Sequence, residues 1–154
     1  MAYNILFIED EQWGVNAYFR VLEKKGFKCT LAQSGNEAIK LLERREFDFI
    51  CLDVMFPSGE LIREGAPSIS AGVELLASIR SNRVKNCPSN IKVIVLTAVM
   101  DQEIEGQIRD LGVQAYLKKP VEFDTVIRTV ESVLNNCRLN SSTPTSESKK
   151  RELD

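Results

Sequence analysis

FDFICLD, at residues 47–53, decides how this chain folds. Phe49, Ile50, Cys51 and Leu52 follow one another without a polar break, and Asp53 ends the run abruptly. A strand with one wet face alternates apolar and polar side chains; a strand covered on both faces reads as a nearly continuous apolar run. Residues 47–52 are therefore predicted to be a strand inside a parallel sheet, with Asp53 at its carboxyl end.

The same texture recurs on either side. YNILFI (3–8), FKCTL (27–31), IKVIVL (91–96) and VQAYL (113–117) read as four more strands. Helix-period segments separate them. Residues 12–25 place Val15, Phe19 and Leu22 on one face and stop at Gly26. Ser34 and Glu37 form an S-x-x-E capping pattern that opens a helix running to about Arg45. Residues 72–83, about 101–110 and 123–137 complete the set; the last turns Val126, Ile127, Val130, Val133 and Leu134 inward. A loop rich in Pro, Gly and Ser covers 53–71. Strict alternation implies right-handed crossovers. The expected fold is α/β, a doubly wound five-stranded parallel sheet of flavodoxin-like (β/α)5 type with strand order 2-1-3-4-5. Residues 1–137 form one domain in this reading, and the polar, aperiodic 138–154 a disordered tail or linker stub.

Composition narrows the function. The 154 residues suit one domain, and 44% apolar content allows an ordinary core. Twenty basic residues against 22 acidic ones give no sign of a nucleic-acid surface. No apolar run approaches the roughly 20 residues that span a bilayer. Met1-Ala2-Tyr3-Asn4 does not begin a secretory leader, so a cytoplasmic protein is expected. Cys29, Cys51, Cys87 and Cys137 lie far apart and read as reduced thiols. The absence of histidine removes Ser-His-Asp and Cys-His catalysis and Cys/His zinc sites.

Ligands of open parallel sheets gather outside the carboxyl ends of the strands. The first strand ends in Glu9-Asp10, the third in Asp53, the fourth in Thr97-Ala98 and the fifth in Lys118-Lys119-Pro120. Singly, such residues are ordinarily helix caps or solvated: Glu9-Asp10 would cap the first helix and Thr97 the fourth. Together they set carboxylates, a hydroxyl and an ammonium on one rim. Clustered carboxylates repel unless a cation joins them, and Mg²⁺ suits such oxygen donors and phosphate oxygens. Flanked by a metal and a lysine, Asp53 is placed as a carboxylate nucleophile toward a phosphoryl group.

NILFIEDE, FDFICLDVMFP, GVELLASIR, KVIVLTA and GVQAYLKKP resemble the successive signatures of two-component receiver domains, over roughly residues 3–136. The resemblance implies that Asp53 accepts a phosphoryl group from a histidine kinase or histidine phosphotransfer protein. It implies Mg²⁺ (or Mn²⁺) held by Asp10, Asp53 and the Met55 carbonyl, with Glu9 assisting. Thr97 and Lys119 would contact the phosphoryl group, Ala98 would leave room for it, and Tyr116 would be the switch aromatic. Lys119–Pro120 is a cis-peptide candidate on the same basis, and Lys118 a solvated residue. The expected output is a changed affinity for a downstream effector, or a homodimer, through the fourth helix, fifth strand and fifth helix. Phosphoryl transfer to itself and autodephosphorylation would be its only chemistry. Apolar Met55 and Val99 predict slow loss of the phosphoryl group.

Two features depart from the pattern. Glu9 stands where the family usually has aspartate. Gly72 lies nineteen residues after Asp53, where the family places it about eight after, so about eleven residues are inserted within 58–71. Such a loop either carries specificity or is a tolerated surface insertion. Two other classes stay open: a binding module on the same fold without phosphorylation, and a small phosphatase with Asp53 as nucleophile. Met55 argues against the phosphatase, because common aspartate-nucleophile phosphatases have a second aspartate there.

Overall fold

The structure, a computed structural model, describes residues 3–9, 12–53, 68–98 and 101–135, with only the backbone of 12–14 and 68–70. Asp10, Trp13's side chain, Met55, Val99, nearly all of the insertion and the 138–154 tail fall outside the described residues. The chain divides after Val121 into two units.

The first unit contains β1 (Asn4–Ile8), α1 (Gln12–Lys24), β2 (Lys28–Ala32), α2 (Gly35–Arg44), β3 (Phe49–Leu52), α3 (Ser68–Arg80), β4 (Lys92–Thr97), α4 (Gln102–Leu111) and β5 (Ala115–Lys118). All neighbouring strands pair in parallel, in the order β2-β1-β3-β4-β5. The uninterrupted apolar run of β3 is buried at all four positions. Its side chains alternate between two cores. Ile50 and Leu52 join Leu6, Ile8, Val93 and Val95 against Leu42, Leu75, Leu76 and Ile108 of α2, α3 and α4. Phe49 and Cys51 have the opposite parity, as does Phe7, whose ring meets Phe19 of α1 at 5.0 Å between centroids. Helices thus cover both faces, as the doubly wound reading requires. The second unit's described part is helix α5 (123–135), in which Val126, Ile127, Val130, Val133 and Leu134 are buried.

Local chemistry sets the ends of these elements. Ser34 accepts from the Glu37 N–H at 3.2 Å, and the Glu37 carboxylate accepts from the Gln33 N–H at 3.0 Å. Gly26 and Gly112 take positive φ, 98° and 90°, where a Cβ would be strained.

Boundaries differ from the sequence reading at several elements: β2, β3 and β4 are shifted or shortened by one or two residues, and α3 and β5 differ further. Helix α3 starts at Ser68, so Gly72 lies inside it; Ile69 alone, among Ser68, Ser70 and Ala71, sets no apolar period to mark the start. It stops at Arg80 rather than 83, because Asn82 turns to φ 62°. β5 spans 115–118 rather than 113–117. Gln114 donates its N–H to the Val93 carbonyl at 2.8 Å, and its side-chain oxygen accepts from the Val93 N–H at 2.6 Å, replacing ladder pairing there. The cap of α4 is Asp101, which accepts from the Glu103 and Ile104 N–H groups, and not Thr97. Among the described residues no helix is long and apolar enough to cross a membrane.

Candidate functional site

The sheet ladder runs one residue past the strand ends and fixes the backbone of the site. The Glu9 N–H donates to the Ala32 carbonyl at 3.0 Å, Asp53 to Ile8 at 2.9 Å, and Lys119 to Thr97 at 2.8 Å. Strands β1, β3 and β5 therefore deliver three charged side chains to one rim. The Lys119 ammonium donates to Glu9 Oε2 at 2.9 Å and to Asp53 Oδ2 at 3.3 Å. Both acids are buried, 8% exposed each.

Burial of this kind disfavours charge. A cavity of about 260 Å³ opens beside the three groups, and Phe7, Val15, Cys51 and Leu96 give it apolar walls. Burial first, and then hydrogen bonding with Asp53, push the Glu9 carboxyl up to about 7 against the pull of Lys119. Burial alone would lower the Lys119 ammonium; the Glu9 hydrogen bond and the Asp53 charge carry it above its ordinary range. With both carboxyls ionised, two acids against one ammonium leave surplus negative charge among these three groups. Carboxylate oxygens with such a surplus suit a hard divalent cation. Among the described residues no three His, Cys, Asp or Glu side chains stand together; Asp10 and Met55 lie outside that set.

The remaining candidates lie nearby on the same strands. Thr97 is fully buried at the end of β4, in register with Lys118, and Ala98 after it is exposed. The Lys119–Pro120 peptide is cis. Tyr116 stands further back on β5, paired with Val95, and does not join the charged cluster. Its hydroxyl is buried with no hydrogen-bond partner among the described residues. The Arg109 guanidinium lies 5.2 Å over its ring.

Lys118 is not simply solvated: its ammonium meets Glu105 Oε1 at 3.1 Å, while Glu105 Oε2 accepts from Arg109 at 2.8 Å. The i,i+4 spacing of Glu105 and Arg109 was visible in the sequence, but their tie to β5 required the tertiary fold.

Residues 5–131 match the family described as the response regulator receiver domain. The chain is 30% identical over 138 residues to the probable transcriptional regulator ycf29 of Pyropia yezoensis, covering 88% of this chain and 53% of that protein. It thus spans about half of that relative's length. It is 24% identical over 136 residues to the polar-differentiation response regulator DivK of Brucella ovis, covering 88% of this chain and 99% of that protein. A solved receiver domain, that of the sensor histidine kinase PA1611 from Pseudomonas aeruginosa PAO1, has a magnesium ion coordinated in its active site cleft. It shares the fold at a TM-score of 0.66 and 23% identity, covering 86% of this chain and 97% of that one.

Proposed function

The chain belongs to the response regulator receiver domain family, and from that premise we propose that it is a phosphorylation-dependent signalling switch with Asp53 as its acceptor. The observation that carries this reading is the buried Asp53 carboxylate at a central strand end, with the Lys119 ammonium 3.3 Å from it. A carboxylate so placed can act as nucleophile, with a fixed cation beside it for the oxygens of the incoming group.

The donor in this reading is the phosphohistidine of a kinase or phosphotransfer protein. An Asp53 oxygen attacks phosphorus, the phosphorus–nitrogen bond breaks, and the imidazole leaves and takes up a proton. When bound, Mg²⁺ or Mn²⁺ would supply charge neutralisation for the phosphoryl oxygens; Asp10, Asp53 and the Met55 carbonyl would hold it, with Glu9 assisting. The magnesium in the Pseudomonas domain supports that assignment. Lys119 donates to one phosphoryl oxygen. Thr97 donates its hydroxyl to another, and small Ala98 leaves space for the group. The acquired charge, roughly −1.5 to −2, draws these donors in. Movement at the end of β4 then passes to Tyr116 and to the surface of α4 and β5, where an effector or second copy binds. The protein works in the cytoplasm on this account, and the free thiols Cys29, Cys51 and Cys87 support that.

The test is incubation with a small phosphodonor and Mg²⁺, followed by intact-mass measurement and hydroxylamine treatment. One added phosphoryl group, removed by hydroxylamine and absent in Asp53→Asn, is expected. A hydroxylamine-sensitive adduct that persists in Asp53→Asn, or no uptake by the unaltered protein, overturns the reading.

A further inference from the structure

Lys119 follows β5 at the edge of the sheet, and Glu9 follows β1. Strands β3 and β4 lie between them, so the two backbones stand about three strand spacings apart, roughly 14 Å. Asp53, after β3, is one spacing closer to the lysine. The ammonium nevertheless makes its shorter bond to Glu9, 2.9 Å against 3.3 Å to Asp53. Lys119 therefore reaches across the acceptor to the far carboxylate. The extra methylene of a glutamate, about 1.5 Å of added reach, favours closing that span.

The ammonium divides its donors between the two carboxylates, so the more it turns to a phosphoryl group on Asp53, the less it gives to Glu9. We infer that Glu9 is a positioning residue that competes with the phosphoryl group for Lys119, holding the ammonium while Asp53 is unmodified and surrendering it on phosphorylation. This rests on the function proposed above and assigns Glu9 a role that acts through the lysine. A carboxylate that stabilises only the unmodified state disfavours the modified one, because an equilibrium shifts by the difference in interaction between its two states. Shortening Glu9 to aspartate keeps the charge and weakens the hold.

The probe is beryllium fluoride with saturating Mg²⁺, a phosphoryl mimic whose affinity reads the equilibrium directly. Glu9→Asp is expected to bind it about threefold more tightly, the size of a partly exposed ion pair. In a Lys119→Met background, Glu9→Asp is expected to change nothing. The half-saturating Mg²⁺ concentration is measured for each variant without the mimic, and mimic affinities are compared at Mg²⁺ saturating for that variant. Equal effects in both backgrounds, or weaker binding by Glu9→Asp, overturn the inference.

A second measurement stands apart from phosphorylation. In chelator, unfolding midpoints of Glu9→Gln, Asp53→Asn, Lys119→Met and the two doubles with Lys119→Met give two coupling terms. The Glu9–Lys119 term should exceed the Asp53–Lys119 term, and the reverse order overturns the inference. If the unaltered protein binds no beryllium fluoride and takes up no phosphoryl group, the proposed function fails, while this cycle still decides whether Glu9 holds the lysine.

Discussion

The two rims of the sheet use their polar groups in opposite ways. At the amino end, each polar group considered has a structural partner. Asp48 accepts from the Asn4 N–H at 2.7 Å, and the Asn86 amide donates to the Glu43 carbonyl at 2.8 Å. Arg45 lies 5.0 Å over the Phe47 ring and donates to Thr30 at 3.1 Å. At the carboxyl end, Glu9, Asp53 and Lys119 face one another across buried space. The larger cavity, about 430 Å³, lies at the amino end among Leu42, Phe47, Cys87 and Ile91. The carboxyl-end cavity is the smaller one, yet it adjoins the reactive groups. Size of a hollow and capacity for chemistry are thus separate properties here. Chemistry follows from acidic groups brought together in an apolar setting.

Substitutions at the two rims should part company. Asp53→Asn should abolish phosphoryl uptake in a phosphodonor assay while circular dichroism shows the fold intact. Phe47→Ala should do the opposite. It empties a buried ring site and should cost about 3 kcal/mol in urea unfolding, with the folded fraction still accepting phosphate at the unaltered rate. Equal damage to uptake from both would erase the division of labour.

A smaller effect should appear in the pH dependence of the metal-free protein. The Glu9 carboxyl is raised from 4.5 to about 7 in the folded chain, so the folded state holds a proton that the unfolded state has lost. Stability in chelator should therefore fall as pH climbs from about 4.5 to about 7, by an amount of order 2 kcal/mol. Glu9→Gln should flatten that slope in pH-dependent urea titrations. The smallest effect is expected at the amino rim. Asp48→Asn leaves an exposed hydrogen bond weakened, and should cost about 0.5 to 1 kcal/mol in urea unfolding.

β1, β3 and β4 were legible as apolar runs bounded by polar residues, and Asp53 stood out as the charge that ended one; β2 and β5, with Lys28, Thr30 and Lys118 among them, were legible as short strand-like segments between helical periods. Glu9, Thr97 and Lys119 could be placed at the same rim because strand ends in a parallel sheet share one edge. Other features depend on partners distant in sequence. The start of α3 at Ser68 gave no periodic signal, since Ile69 is the only large apolar residue in its first turn. The Gln114 side chain replacing a ladder bond is set by Val93, twenty-one residues away. Asp101 could have been recognised as a cap, because aspartate followed closely by Glu103 and Ile104 is a strong helix-start pattern. That Lys119 would choose Glu9 over nearer Asp53 follows from strand order and reach together, which no local pattern encodes.

Arg80, at the end of α3, donates to the carbonyls of Ser89, Leu111 and Gly112 at 2.7 to 3.2 Å. Ser89 precedes β4 and Gly112 follows α4, so one guanidinium grips both ends of the β4–α4 segment at its heel. Thr97 and the turn into α4 lie at the opposite tip. In mechanical terms the segment is a cantilever, anchored where it enters and leaves the sheet and unsupported by that anchor at the reactive rim. A push delivered at the tip should bend it there and leave the Arg80-held heel in place.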